Sequence, residues 1–264
     1  GGKVISTVTT VEHALAAQNS GADALQATGH EAAAHGSHVT TLVLVPAIVD
    51  AVKIPVVAIG GIADGRGMAA AFALGAEGVG MGTRLSITKE SPVHQLAKQK
   101  QLECGIEDTI YSNRFDALYC RILKTPSAEK AVKDGRNLMK GLMASFAIAK
   151  SLDLSWMKLA TSTLSGSKKD KSAKPVGSGQ KPKKQESLFK KLMKGPQTGM
   201  NLAHMAQAYV SIKKATEEGD MEKGVYVSGQ VQGIIHDIPT AAEVINRTVE
   251  EFIKIQKNMA QKAV

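Results

Sequence analysis

The sequence predicts an α/β fold whose first third is a series of parallel β-α units. Three observations carry this. Short β-branched or continuous apolar stretches recur at 4–8, 22–29, 54–61 and 77–83. Stretches with helical apolar spacing lie between them, and the joints are short and rich in Gly, Asp and Thr. Alternation of this kind is the signature of a parallel sheet covered by helices.

Each element has a local reason. "VISTV" is short and β-branched, which suits a strand. Val11, Ala14, Leu15 and Ala17 then fall at helical spacing; Thr9 or Thr10 can cap this helix and Gly21 can end it. "ADALQATG" is the second strand, followed by a loop rich in histidine. "TTLVLVPAIVDAVK" reads as a loop leading into a helix with Pro46 in its first turn. "IPVVAIGG" is a buried strand, "DGRGMAAAFALGA" a helix closed by Gly75, and "EGVGMGT" the fourth strand. After residue 88 the rhythm changes. "ESPVHQLAKQKQLE" is helical, "DTIYSNRFDALYCRIL" is a candidate small hairpin, and "SAEKAVKDGRNLMKGLMASFAIAK" is helical despite Gly135 and Gly141. Two more helices are expected in "GMNLAHMAQAYVSIKKATEEG" and "PTAAEVINRTVEEFIKIQKNMA".

Four segments follow: the β-α series over 1–88, a helical region with a small hairpin over 89–160, a lysine-rich disordered linker over 161–196, and a helical segment over 197–264. The net charge of +9 sits almost wholly in the third. Between Lys168 and Lys194 there are ten lysines against Asp170 and Glu186, a local excess of +8. The remainder is near neutral and lacks interleaved Arg and aromatic residues, which argues against nucleic acid as a partner. The most apolar window, 42–62, carries Asp50, Lys53, two prolines and a Gly pair, which argues against a membrane span. With 43% apolar but only 4% aromatic residues, the core must be built from Ala, Val, Ile and Leu. Cys104 and Cys120 are too few for a disulfide framework and lack metal-ligand spacing, so a reduced, cytoplasmic setting is expected. The chain begins Gly1-Gly2-Lys3 without Met, which reads as a cut front end.

Two strand ends carry glycine clusters, Gly60-Gly61 and Gly80-Met81-Gly82-Thr83, one β-α unit apart. In a parallel sheet both lie at the C-terminal edge. Glycine lets main-chain N–H groups approach an anion closely, and a helix starting just beyond adds its dipole. The pair favours phosphate binding over simple tight turns. A dinucleotide fingerprint competes poorly, because G-x-G-x-x-G is incomplete and no ribose-binding acid follows.

"GHEAAAHGSH" approaches the zinc signature H-E-x-x-H with one residue too many. On a helix, residues five apart lie about 140° apart, so His30 and His35 cannot share a face. His38 does not complete a ligand set, and no metal is expected. A histidine on a loop after a strand is suited to take a proton from an acidic carbon; a plain surface loop remains the alternative.

"GADALQATGHEAAAHG" and "IPVVAIGGIADGRGMAAAFALGAEGVGMGTR", with the closing "VSGQVQGIIHDIPTAAEVI", resemble the nitronate monooxygenase (2-nitropropane dioxygenase) family, which includes flavin-dependent enoyl reductases. The resemblance covers about 3–160 and 200–255. It implies a TIM barrel with FMN at the C-terminal strand ends, here a partial (β/α)8 barrel of about the last four β-α units with an added helical region. Gly60, Gly61, Gly80, Met81, Gly82 and Thr83 would cradle the FMN phosphate. His35 would fall on the catalytic histidine, converting alkyl nitronates or nitroalkanes with O2 to carbonyl compounds and nitrite. The alternatives are NAD(P)H-dependent enoyl reduction and a non-catalytic half barrel. The chain departs from the pattern at Ala33-Ala34, where the family has glycines, and at Thr28, where a glutamine is common; if either alanine needs positive φ, its methyl group is costly. Only four of eight barrel strands are found, so the chain is expected to be a fragment, a homodimer completing the barrel, or a degenerate half barrel.

Overall fold

The computed structural model describes residues 1–135 and 204–262. Four strands, β1 (Ile5–Val8), β2 (Ala24–Thr28), β3 (Val56–Ile59) and β4 (Gly78–Gly80), form one sheet in the order β1-β2-β3-β4. Every pair is parallel, with Ala27 opposite both Val8 and Ala58, and Ile59 opposite Gly80. Between them run α1 (Val11–Asn19), α2 (Thr41–Ala51) and α3 (Gly65–Ala73). Thr10 caps α1, its hydroxyl accepting the His13 N–H at 3.1 Å, and Asp64 caps α3 through the amides of Arg66 and Gly67. Gly21 and Gly75 close α1 and α3 in the left-handed conformation, with φ of 91° and 90°.

Two boundaries differ from expectation. α2 starts at Thr41, so Pro46 lies inside the helix rather than in its first turn. The carbonyl it leaves unpaired belongs to Leu42, on the solvent side, where water can satisfy it. The fourth strand stops at Gly80, and Gly82 and Thr83 open a short helix, α4 (Gly82–Ser86).

The sheet and its helices enclose a core of small and branched side chains: Val8, Leu25, Ala27, Leu44, Val45, Ile48, Val56 and Ala58. Beyond it come α5 (Gln95–Leu102) and an antiparallel hairpin of β5 (Thr109–Ser112) and β6 (Cys120–Leu123), which confirms the expected hairpin. α6 (Pro126–Asp134) follows, then the helical residues 204–216 (α7), a 3-10 turn at Gln230–Ile234, and α8 (Ala241–Lys262). The rest of the long helix expected over 127–150 and the lysine-rich segment 161–196 lie outside the described residues. No helix among the described residues is long and apolar enough to cross a membrane.

α8 returns to the sheet by crossing α3. The Gly65 amide donates to Glu251 Oε2 at 2.8 Å, and Phe72 meets Phe252 with ring centroids 5.1 Å apart. Arg84, buried behind the fourth strand, donates to the carbonyl and carboxylate of Asp237, which also receives Arg247. A Cβ at Gly65 would lie 2.5 Å from the Phe252 nitrogen and 2.7 Å from the Thr248 oxygen, both main-chain atoms. Gly65→Ala should therefore destabilise the fold by about 1–3 kcal/mol although alanine is the better helix former. Urea unfolding checks this, and an unchanged midpoint would show that α8 does not sit this close.

Candidate active site

The histidine loop follows β2 and is pinned from several sides. Glu31 turns its carboxylate onto the start of α2, accepting the Thr41 amide at 2.9 Å and within 2.9 Å of its hydroxyl. The Thr41 hydroxyl is also 3.0 Å from the Gly60 carbonyl. This joins the loop, α2 and the end of β3. The same oxygen-rich spot forces glycine around it: a Cβ at Gly29 would meet Thr41, and one at Gly60 would lie 2.9 Å from its hydroxyl. Gly60 and Gly61 both have positive φ, 109° and 74°.

From the other side, Arg121 on β6 is buried and reaches back across the loop. Its guanidinium donates twice to the His30 carbonyl, at 3.1 and 3.0 Å, and once to the Thr109 hydroxyl, while lying over the Tyr111 ring. Main-chain bonds in both directions join Arg121 to Ala34. His30 is thereby spent on structure. Its Nδ1 lies 3.0 Å from the Ser37 carbonyl and its ring meets the Tyr111 ring edge-on.

His35 is exposed. Its Nε2 lies 2.6 Å from Asp116 Oδ2, in the 113–119 loop between β5 and β6. The Asp116 side chain is 8% exposed and the His35 side chain 44%. Because a carboxylate only accepts, the neutral ring carries its proton on Nε2 and keeps Nδ1 as the basic nitrogen. The hydrogen bond to Asp116 raises the pKa of His35 above its ordinary 6.5; partial burial opposes this, and the aspartate charge adds to it. Cys120 packs beside the pair, its thiol pushed up to about 12 by burial.

A hollow of about 340 Å³ opens at the C-terminal ends of β2, β3 and β4. His35, Gly60, Gly61, Gly80, Gly82 and Thr83 all line it, so six of the seven residues singled out in the sequence come together. Met81 does not; its side chain packs against the main core. Thr28, Gln26, Ala33, Ala34, Gly229 and Val231 complete much of the wall. Gly60 and Gly61 both border the hollow, and the Gly61 amide makes no main-chain hydrogen bond among the described residues. Met81, at the N-cap of α4, offers its leading amides no side-chain cap. The hollow therefore presents main-chain donors at its rim, as an anion requires. Arg84 adds no charge there, being committed to Asp237.

Three residues that shape the site are not singled out by the sequence. Asp116 lies 81 residues from His35 in an irregular loop, where no periodicity marks it. Arg121 sits in a strand whose apolar neighbours hid it. Gly229 donates its amide to the Thr83 hydroxyl at 3.0 Å, and a Cβ there would lie 2.9 Å from the Glu31 carbonyl; its place in the glycine-glutamine segment was the available signal.

The departure at Ala33-Ala34 resolves to one residue. Ala34 has φ of 54°, and Ala117, on the far side of the His35–Asp116 pair, has φ of 77°. Left-handed alanine costs about 1–2 kcal/mol, and glycine at such a site returns about 0.4–1 kcal/mol through the entropy of the unfolded chain. Ala34→Gly should raise stability by a net amount of about 0.5–1 kcal/mol, read from chemical denaturation. The raised pKa of His35 has its own consequence. Its stabilisation is complete below pH 6.5 and fades as the pH rises through the higher folded value. An NMR titration of the His35 ring should show a midpoint above 6.5, and Asp116→Asn should lower it.

A family model described as nitronate monooxygenase matches residues 1–251. A (3aS,4S,5R,7aS)-5-hydroxy-7a-methyl-1-oxo-octahydro-1H-indene-4-carboxyl-CoA dehydrogenase of Rhodococcus jostii is 34% identical over 252 residues, covering 95% of this chain and 65% of that protein. A "Probable nitronate monooxygenase" of Staphylococcus haemolyticus is 44% identical over 129 residues, 45% of this chain and 36% of its own length. Among solved structures, FabK from Thermotoga maritima matches at 30% identity with a TM-score of 0.68, over 99% of this chain and 64% of FabK. A nitroalkane oxidase from Streptomyces ansochromogenes, 21% identical with a TM-score of 0.65 over 98% of this chain and 60% of its own, shares the fold. The chain thus spans a little under two thirds of the length of the first curated relative and of these solved structures.

Proposed function

The chain belongs to the nitronate monooxygenase family, and from that premise we propose that it forms the flavin-holding and proton-abstracting part of an oxidoreductase acting on a carbon acid. The observation that carries this is the shared hollow: an aspartate-backed histidine faces the same space as two glycine turns at adjacent strand ends. The four-stranded sheet is read as part of a (β/α)8 barrel, whose chemistry sits at the C-terminal strand ends.

FMN fits the residues present. The Gly61 amide and the leading amides of α4 suit its phosphate, with the Thr83 hydroxyl, already accepting from Gly229, still able to donate. The volume falls within the range of about 300–1,000 Å³ usual for small-molecule sites. Bound flavin supplies the redox chemistry. The chain's own part is acid–base: His35 Nδ1 takes the proton from a carbon made acidic by an adjacent nitro group, and Asp116 stabilises the imidazolium that results. With O2 as oxidant the products are a carbonyl compound and nitrite.

A second reading has specific support. The Rhodococcus jostii relative acts on a coenzyme A thioester, and it aligns over nearly the whole chain. The same base could act at a carbon beside a thioester carbonyl. Nitrite release from a nitroalkane supports the first reading. Flavin reduction by an acyl-CoA, or NAD(P)H oxidation driven by an enoyl thioester, without nitrite supports the second.

Gly82→Asp tests the cradle. No atom lies within 4 Å of the added Cβ, and an acid at the start of α4 favours the helix. The fold should persist while FMN affinity falls at least about tenfold, because like charges meet. Fluorescence titration with FMN reads this, and unaltered affinity would remove these turns as the phosphate site.

A further inference from the structure

Among the described residues, one cluster brings together three different metal-ligating side chains. His35, Asp116 and Cys120 have their ligand atoms within 4.8 Å of one another. The sequence did not show it, because the ligands come from a loop and a hairpin far apart in the chain, and Cys120 has no second cysteine nearby. We propose that His35, Asp116 and Cys120 form a site for a soft divalent cation such as Zn2+, and that the bound cation takes His35 out of acid–base use. The proposal deepens the reading of His35 as a base and rests on it only for its consequence, not for the binding.

The donor set is nitrogen, carboxylate oxygen and sulfur, which suits Zn2+ and leaves a fourth, tetrahedral position. Ligands of a tetrahedral zinc lie roughly 3.3–3.8 Å apart, given bond lengths of about 2.0–2.3 Å. The His35–Asp116 contact must therefore open and Cys120 draw in, each by about an ångström. The opening of the contact falls to His35, whose side chain is 44% exposed. The charges match. Asp116 and a Cys120 thiolate bring two negative charges, the thiol proton leaving to solvent, and the cation brings two positive ones. Among the described residues, Asp116 is the charged neighbour felt at both His35 and Cys120. Arg121, next in sequence, points its guanidinium to His30 and Thr109 instead. Among the described residues, the Cys120 thiol makes only a 4.0 Å approach to the Arg121 carbonyl.

Co2+ is the probe. Titrated into the flavin-loaded protein, it should give a thiolate-to-cobalt band in the difference spectrum that saturates at one equivalent and is displaced by Zn2+. Cys120→Ser should abolish the band and Cys104→Ser should keep it. His35→Ala, on the exposed loop, should keep a band but weaken Co2+ binding at least tenfold, and it decides the matter if Cys120→Ser does not fold. One equivalent of Zn2+ should abolish the His35 titration seen by NMR. Absence of a band in the parent protein, a band that depends on Cys104, or unweakened binding in His35→Ala would overturn the site. An unchanged His35 titration under saturating Zn2+ would overturn its effect on the base. None of these readouts uses turnover. A protein that binds Co2+ in this way but neither holds flavin nor oxidises a carbon acid would sink the functional reading and leave the metal site standing.

Discussion

The contact between the Glu31 carboxylate and the first amide of α2 is the constraint around which the site is arranged. It places a negative charge at a helix N-terminus, where the dipole favours it. It also forces backbone to pack on backbone. Gly29 and Gly60 press on Thr41, Gly61 on the Glu31 side chain, and Gly229 on the Glu31 carbonyl, so four glycines surround one carboxylate and its partner. The glycines that a sequence reader assigns to a ligand are therefore doubly required. At Gly60 the first demand is steric; at Gly82, which has open space around it, no such demand exists.

The hairpin supplies what the sheet cannot. A parallel sheet delivers loop residues to one edge but gives a histidine there no partner of its own. β5 and β6 bring Arg121 beneath the loop and Asp116 beside His35, the first through main-chain pairing with Ala34 and the second through an irregular turn. Both alanines that flank the pair sit in the left-handed region. Strain of this kind persists only where neighbouring contacts over-determine it, and here the Ala34–Arg121 bridge is such a contact.

The parallel series was legible because each strand and helix is short, strongly patterned and closed by Gly or capped by Thr or Asp. Adjacent strand ends then had to share an edge, and that placed Gly60, Gly61, Gly80, Gly82 and Thr83 together before any coordinates. The small hairpin was also legible from its imperfect alternation. What stayed hidden depends on long-range packing. Nothing local to Asp116 says that it meets a residue 81 positions earlier. The end of the fourth strand was misplaced because "GMGT" suits a strand end and a helix start equally well. Pro46 suits a first turn by local rules; the helix starts earlier because Glu31, a remote side chain, caps Thr41.

The bond from the Gly229 amide to the Thr83 hydroxyl spans 146 residues. At ordinary elongation rates a ribosome needs about 7–30 s to add that many. Through that interval the nascent chain can hold its four parallel strands, yet one wall of the cradle has not been synthesised. The hollow is thus completed late, and the newborn β-α series must survive with it unlidded, at the stage when chaperones meet exposed apolar surface.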